Sequence, residues 1–243
     1  MTSYRKRTYR KCIQHRGLVT FNVTVKETDL QIWASRYLET AATQAVLQHR
    51  GYLESYIRSC PEFLTSLTPL YHPGPAPRII TDMLRASVQA QVGPMAAVAG
   101  AMAEQVGRVL LENAAEVIVE NGGDIFLKMT QPATIAVFAG KSPLSMKLGL
   151  QFEVNPEPFA ICTSSGTIGH SLSQGKADAV CTVASSCALA DAAATAIGNR
   201  VRRPSDIQNA IAYGRTIQGL SGIVVIIRDK IGLWGDLNVV PLK

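Results

Sequence analysis

Strand-like segments come in pairs along this sequence, with helices between the pairs, and that order leaves few architectures open. Leu18 to Lys26 alternates and is rich in Val, Phe and Thr. Glu27-Thr28-Asp29 breaks the run and Leu30 to Ala34 resumes it, so a hairpin is expected. Helical spacing follows from Arg36 to Arg58, with an interruption expected at Gly51. The proline-rich stretch from Pro61 to Pro77 reads as a surface connection without an element of its own. Ile79 to Val88 reads as a short helix. Gly93-Pro94 opens the next one, with Pro94 at the first helical position that proline favours, and it extends to about Asn113. Val117 to Glu120 and Asp124 to Met129 then flank Asn121-Gly122, the strongest two-residue hairpin signal.

The second half repeats the order. Strands are expected near Ile135 to Ala139, Leu148 to Val154, Phe159 to Thr163 and Ala179 to Ala184. A helix from Cys187 to Arg200 has Ser186 as its cap, and a shorter one spans Ser205 to Tyr213. Gly222 to Arg228 and Gly232 to Val240 close the chain as strands. Regular βαβ alternation is missing, which argues for an α+β fold with largely antiparallel sheets. The expected organisation is a basic arm over residues 1–16 and a single globular unit over 17–243. That unit is built of two similar halves, 17–130 and 131–243, although no residue-level repeat is visible.

Composition narrows the function classes. Hydrophobic residues make up 47% and charged residues 17% of the 243, enough apolar material to offset the entropy of ordering. No apolar run approaches the ~18 residues that cross a bilayer, and no apolar h-region follows the basic start, so a cytoplasmic protein with no membrane partner is expected. The five cysteines are odd in number and contain no CxxC pair, which points to reduced, packed thiols. The net charge of +6 gathers at the start, in Arg5, Lys6, Arg7, Arg10, Lys11 and Arg16. Such an arm suits phosphate backbones, but no aromatic platform or reader motif accompanies it, so nucleic acid is not the expected partner.

Nucleotide fingerprints of the GxGxxG and GxxxxGK[ST] types are absent. Gly169-His170-Ser171-Leu172-Ser173 lacks the closing glycine of a nucleophile elbow. Four local clusters remain. Gly93 to Gly100 is a helix start of small residues, whose N–H groups and dipole suit phosphate, or which packs tightly on a neighbour. Glu120-Asn121-Gly122-Gly123-Asp124 is a hairpin turn that also presents two acids beside bare backbone. Thr163 to Ser171 is dense in hydroxyls and glycines and carries His170, a general acid/base or ligand-positioning candidate, or it is a polar surface loop. In Ala190 to Thr195, Asp191 and Thr195 stand four apart on one helix face. Their oxygens are hard ligands of the kind magnesium takes; the alternative is a polar stripe on an alanine-rich helix.

The order of these clusters resembles the ApbE-like superfamily, the FAD:protein FMN transferases. The matching stretches are Gly93 to Gly100, Gly122-Gly123-Asp124, Ser165-Gly166 through His170, and Ala190 to Thr195. The whole chain looks still closer to a compact, uncharacterised branch of that superfamily, from residue 18 onward. The resemblance implies a duplicated T-fold-like architecture, with FAD or a related nucleotide as substrate or ligand. It implies magnesium on Asp191 and Thr195, with a backbone carbonyl near Ala97. By the same resemblance Gly93, Met95, Ala96, Glu120, Asn121, Gly122, Gly123, Ser164, Ser165, Gly166 and Lys176 line the nucleotide, and His170 or Asp124 moves a proton. The expected activity is magnesium-dependent chemistry on a flavin or other nucleotide phosphoanhydride, with an acceptor protein as a further partner. The alternative is a module that binds the same ligand without turnover. Departures from the transferases are Val98 where they carry lysine, no Met-Gly-Thr stretch, no lipoprotein signal, and Ser171-Leu172-Ser173-Gln174-Gly175-Lys176 after His170.

Overall fold

A computed structural model describes residues 17–71, 74–166 and 174–242. Its strands form two sheets. The larger contains β1 (Val19–Val25), β2 (Thr28–Ala34), β3 (Val117–Asn121), β4 (Asp124–Lys128), β7 (Phe159–Ser164), β8 (Ala179–Ala184), β9 (Leu220–Ile227) and β10 (Lys230–Gly235), in that spatial order. Every neighbouring pair in it is antiparallel. The smaller sheet has the order β11 (Asn238–Pro241), β6 (Leu148–Phe152), β5 (Ala133–Ala136). The α+β class with antiparallel sheets expected from the element order is what the chain adopts.

Alternation decides which side of the large sheet each residue meets. Val117, Val119, Phe126, Ala160 and Cys162 face the helices α1 (Glu39–Ser59), α3 (Arg78–Ala90), α4 (Val98–Leu111) and α5 (Cys187–Gly198). Ile118, Ile125, Leu127, Ile161 and Val183 face the small sheet, against Ile135 and Leu150. The result is three layers: helices, large sheet, small sheet. Both faces of the central strands are therefore covered, which is why β3, β4, β7 and β8 read as apolar runs more than as alternating ones. A third cluster joins the far end of α5 to α6 (Ile207–Gly214) and to β9.

Three local expectations are corrected. Gly51 does not interrupt α1, which is continuous over 21 residues, because tertiary packing of Ala42, Val46 and Leu53 outweighs one glycine. The proline-rich stretch contains a one-turn helix, α2 (Glu62–Thr65), that buries Phe63. The last expected strand is two: at Gly235 the backbone turns with φ +97°, and β11 leaves for the small sheet. Among the described residues, no helix is long and apolar enough to cross a membrane.

Candidate functional site

The first half of α4 lies against the first half of α5, running in the opposite direction, and Gly100 is where they touch. A Cβ on Gly100 would lie 2.3 Å from the Cys187 carbonyl oxygen and 2.8 Å from the Asp191 Cβ. The small residues before and after it serve this close approach. Each helix then offers a carboxylate to the other's first turn. Asp191 on α5 accepts the Gly100 N–H at 2.9 Å, and the Ala99 N–H also favours its charged form. Glu104 on α4 accepts the Cys187 N–H at 2.7 Å. Both acids meet N–H groups that a helix leaves unpaired, at the positive end of its dipole. Ser186 adds the expected cap on α5, accepting the Leu189 N–H. A short 3-10 turn over Pro94–Ala97 leads into α4, and Gly93 lets the Ser66 carbonyl pass where a Cβ would meet it at 1.8 Å.

The sheet completes the site from below. Asp124 opens β4 after the Gly122-Gly123 turn, where both glycines hold positive φ. Asp124, Cys162 and Ser164 share the helix-facing side of β4 and β7. Cys162 Sγ lies 3.5 Å from Cys187 Sγ, so β7 touches the first residue of α5 directly. Asn121, on the same side of β3, donates to the Ala99 carbonyl at 3.0 Å. Two buried polar atoms here, Asp124 Oδ1 and Ser164 Oγ, have no hydrogen-bond partner among the described residues.

The electrostatics follow from this burial. Burial lifts the Asp191 carboxyl to about 7, although the Gly100 and Ala99 N–H groups pull the other way. Asp124 is pushed well above the usual carboxylate range, by burial first and then by the Asp191 charge; the Cys162 thiol and Thr163 N–H offset only part of this. The charge on Asp191 adds to burial in favouring a proton on Asp124. Burial likewise raises the thiols of Cys162 and Cys187, the latter to about 11, so both are neutral at physiological pH.

Comparison with known proteins places this arrangement. A family model described as AbpE bacteria matches residues 10–231. The chain belongs to this ApbE-like family. A UPF0280 protein of Methanocaldococcus jannaschii is 41% identical over 222 residues, covering 88% of this chain and 90% of that one. One from Methanosarcina acetivorans is 39% identical over 199 residues, covering 81% and 78%. Among solved structures, the flavinyl transferase ApbE of Pseudomonas stutzeri in its apo form has a TM-score of 0.59 at 13% identity, over 89% of this chain and 94% of that one. The ApbE protein of Thermotoga maritima has a TM-score of 0.56 at 12% identity, over 88% and 96%. At such identities these two likenesses concern the fold.

In this ApbE-like chain the structure gathers Asp191 and Asn121 around the Ala99–Gly100 backbone at the start of α4, with Asp124 within reach of the Asp191 charge and Ser164 on the same side of the sheet. Thr195 lies one turn further along α5, as buried as Asp191. Ser165-Gly166 and Gly175-Lys176 lie elsewhere, at the carboxyl end of α5. There the Gly166 N–H bonds the Ala177 carbonyl and the Lys176 N–H bonds the Val201 carbonyl. From Asp191 to that end is roughly 10 Å along the helix. Glu120 is turned away: it pairs with Ile125, which faces the small sheet, and its Oε1 accepts the Gly123 N–H at 3.0 Å. Met95 and Ala96 are half-buried on the 3-10 turn. His170 lies outside the described residues. A cavity of about 430 Å³ elsewhere, lined by Phe152, Glu153, Glu157, Asp236 and neighbours, contains none of these groups. Glu104 and Cys162 were not singled out by the sequence, because their partners are remote along the chain. A charged residue on an otherwise apolar helix stretch was the one available sign for Glu104.

Proposed function

We propose that this chain binds a flavin nucleotide, or a related nucleotide phosphoanhydride, together with magnesium where α4, α5, β4 and β7 meet, and acts on the phosphoanhydride. The observation that carries the reading is the pair of buried atoms, Asp124 Oδ1 and Ser164 Oγ, that lack a hydrogen-bond partner among the described residues, on the sheet face that a second buried carboxylate meets. Unpaired polar atoms cost on the order of 1–3 kcal/mol each, and a bound ligand would satisfy them. Two solved structures that share this fold are described as flavin transferases, and that supports the choice of ligand.

The residues fit a magnesium ion. Two buried carboxyls, both raised by burial and one of them also by the other's charge, are the setting a cation relieves. No three His, Cys, Asp or Glu side chains cluster as metal ligands among the described residues. Magnesium needs only one or two carboxylates when water and phosphate complete its shell. Asp191 would hold it, with the Thr195 hydroxyl and a backbone carbonyl near Ala97. Bound there, the ion would draw charge from the phosphoryl oxygens. Burial, the first cause of the raised Asp124 carboxyl, is independent of the charge on Asp191, and it makes Asp124 a candidate for proton transfer beside His170. Gly93, Met95, Ala96, Asn121, Gly122 and Gly123 would line the nucleotide, and Ser165, Gly166 and Lys176 would serve its far end.

A second reading has its own observation. The Asp191 carboxylate already accepts N–H groups at the start of α4, so the junction also stands as a binding module without turnover. Purified protein with FAD and magnesium, followed by chromatography, separates the two. AMP with free FMN marks hydrolysis, and AMP without free FMN marks transfer of the FMN group to a side chain of the protein itself. Binding with neither product, across a screen of other nucleotides, selects the module.

A further inference from the structure

Glu104 is a buried acid from another helix that supplements the local cap of α5: Ser186 accepts the Leu189 N–H, and Glu104 accepts the Cys187 N–H. Only 4% of Glu104 is exposed. Its Oε2 accepts the Cys187 N–H at 2.7 Å and lies 3.5 Å from Ser186 Oγ. Its Oε1 accepts two N–H groups of Arg108, at 3.0 and 2.7 Å. Arg108 in turn places its guanidinium 5.8 Å from the centre of the Phe126 ring. That ring packs on Gly107, where a Cβ would meet it at 2.2 Å. Phe126 stands two residues from Asp124 on the same side of β4. One line of contacts thus runs from the first residue of α5, through Glu104 and Arg108, to the strand that carries Asp124.

An ion pair with a buried carboxylate and a partly exposed guanidinium is weak evidence for stability, because desolvation of the acid and screening of the arginine consume most of the attraction. It is stronger evidence for a fixed position. Gly100 with Asp191 and Glu104 with Cys187 are the two rungs of the same antiparallel contact, one helical turn apart. Removing the Glu104 rung leaves the bond from the Gly100 N–H to Asp191 to carry the spacing of the two helix starts alone, so any shift between them is borne by the Asp191 carboxylate.

We propose that Glu104 is a positioning residue for Asp191, holding the start of α5 so that the Asp191 and Asp124 carboxylates keep their spacing. The inference rests on the reading of Asp191 as a ligand-holding carboxylate. The test is magnesium titration of the full chain with FAD present, followed by flavin fluorescence, beside thermal unfolding of the same samples. Glu104→Ala should weaken magnesium-dependent FAD binding by roughly 10-fold or more, the usual scale for a residue that orients a metal ligand. Glu104→Gln can still accept the Cys187 N–H and should recover most of that loss. Should the alanine variant not fold, Glu104→Asp, one methylene short of Cys187, should show the same weakening. A role in stability alone would lower the melting temperature while leaving the affinity of the folded protein unchanged, and that result overturns the proposal. Asp191→Asn, measured in parallel, separates the two levels. If it abolishes binding while the folded Glu104 variants bind as the parent does, only the positioning role fails. If it binds as the parent does, the site reading beneath both fails.

Discussion

Substituting alanine at Gly100 tests the helix contact on which the site depends. The added Cβ would lie 2.3 Å from the Cys187 carbonyl oxygen, 2.8 Å from the Asp191 Cβ and 2.9 Å from the Cys187 carbonyl carbon. Two of these three atoms are backbone, so no rotamer change relieves them. Reaching ordinary contact requires α4 and α5 to separate by about 1 Å, and overpacking on that scale costs about 1–3 kcal/mol. The same shift stretches the bond from the Gly100 N–H to Asp191, putting a further 1–3 kcal/mol or so at risk. Alanine's better helix propensity returns about 1 kcal/mol. The net loss is about 1–5 kcal/mol, a fall in melting temperature on the order of 10 °C for a chain of this size. Gly51→Ala is the control. Gly51 also lies within a helix, but nothing stands within 4 Å of its Cβ position, so that variant should gain up to about 1 kcal/mol. Thermal unfolding of the two variants reads the contrast. A Gly100→Ala protein as stable as the parent would refute the close approach and the geometry built on it.

Asp124→Asn should stabilise the magnesium-free protein, by an amount that grows with pH. The parent must keep Asp124 protonated in the fold while the unfolded chain releases that proton, so its stability falls as pH rises above the unfolded carboxylate value. Asparagine escapes this, and the gain should grow by at most about 1.4 kcal/mol per pH unit. Melting temperatures at pH 5 and pH 8 in chelator check it, and a gain that does not change with pH counts against the coupled pair. Cys162, Cys181 and Cys187, all buried with raised thiol values, should resist alkylation in the native protein, whereas half-buried Cys60 should label. Mass spectrometry of peptides from native and denatured samples measures the difference, and early labelling of Cys162 would contradict its place under α5.

What the sequence revealed followed from local chemistry. β8 runs from Ala179 to Ala184 as its apolar run indicates, and Ser186 caps α5 because a serine before an apolar helix offers an acceptor to an unpaired N–H. The hairpin was legible but its turn was not: it falls on Gly122-Gly123, one residue beyond the expected Asn121-Gly122, because Asn121 stays in β3 opposite Asp124 and the two glycines supply the positive φ. Non-local partners were not legible. The N–H groups at the start of α4 read as a phosphate cradle in isolation, but the fold brings Asp191 to Gly100 across 91 positions of sequence. Glu120 and Asn121 looked like one polar turn, yet strand alternation sends them to opposite sides of the sheet. The division of the final strands depended on which sheet had an open edge, and no local run of residues records that.

The claim that Asp191 is the centre of a magnesium and nucleotide site is tested most directly by calorimetry. Magnesium is titrated into the parent and into Asp191→Asn, with FAD present throughout. Asparagine keeps the size and can still accept the Gly100 N–H, so the fold should survive while the charge is gone. The account predicts saturable magnesium binding by the parent and none by the variant, with Thr195→Val weakened less. Equal binding by Asp191→Asn and the parent would contradict the account and leave Asp191 as the carboxylate that closes the first turn of α4.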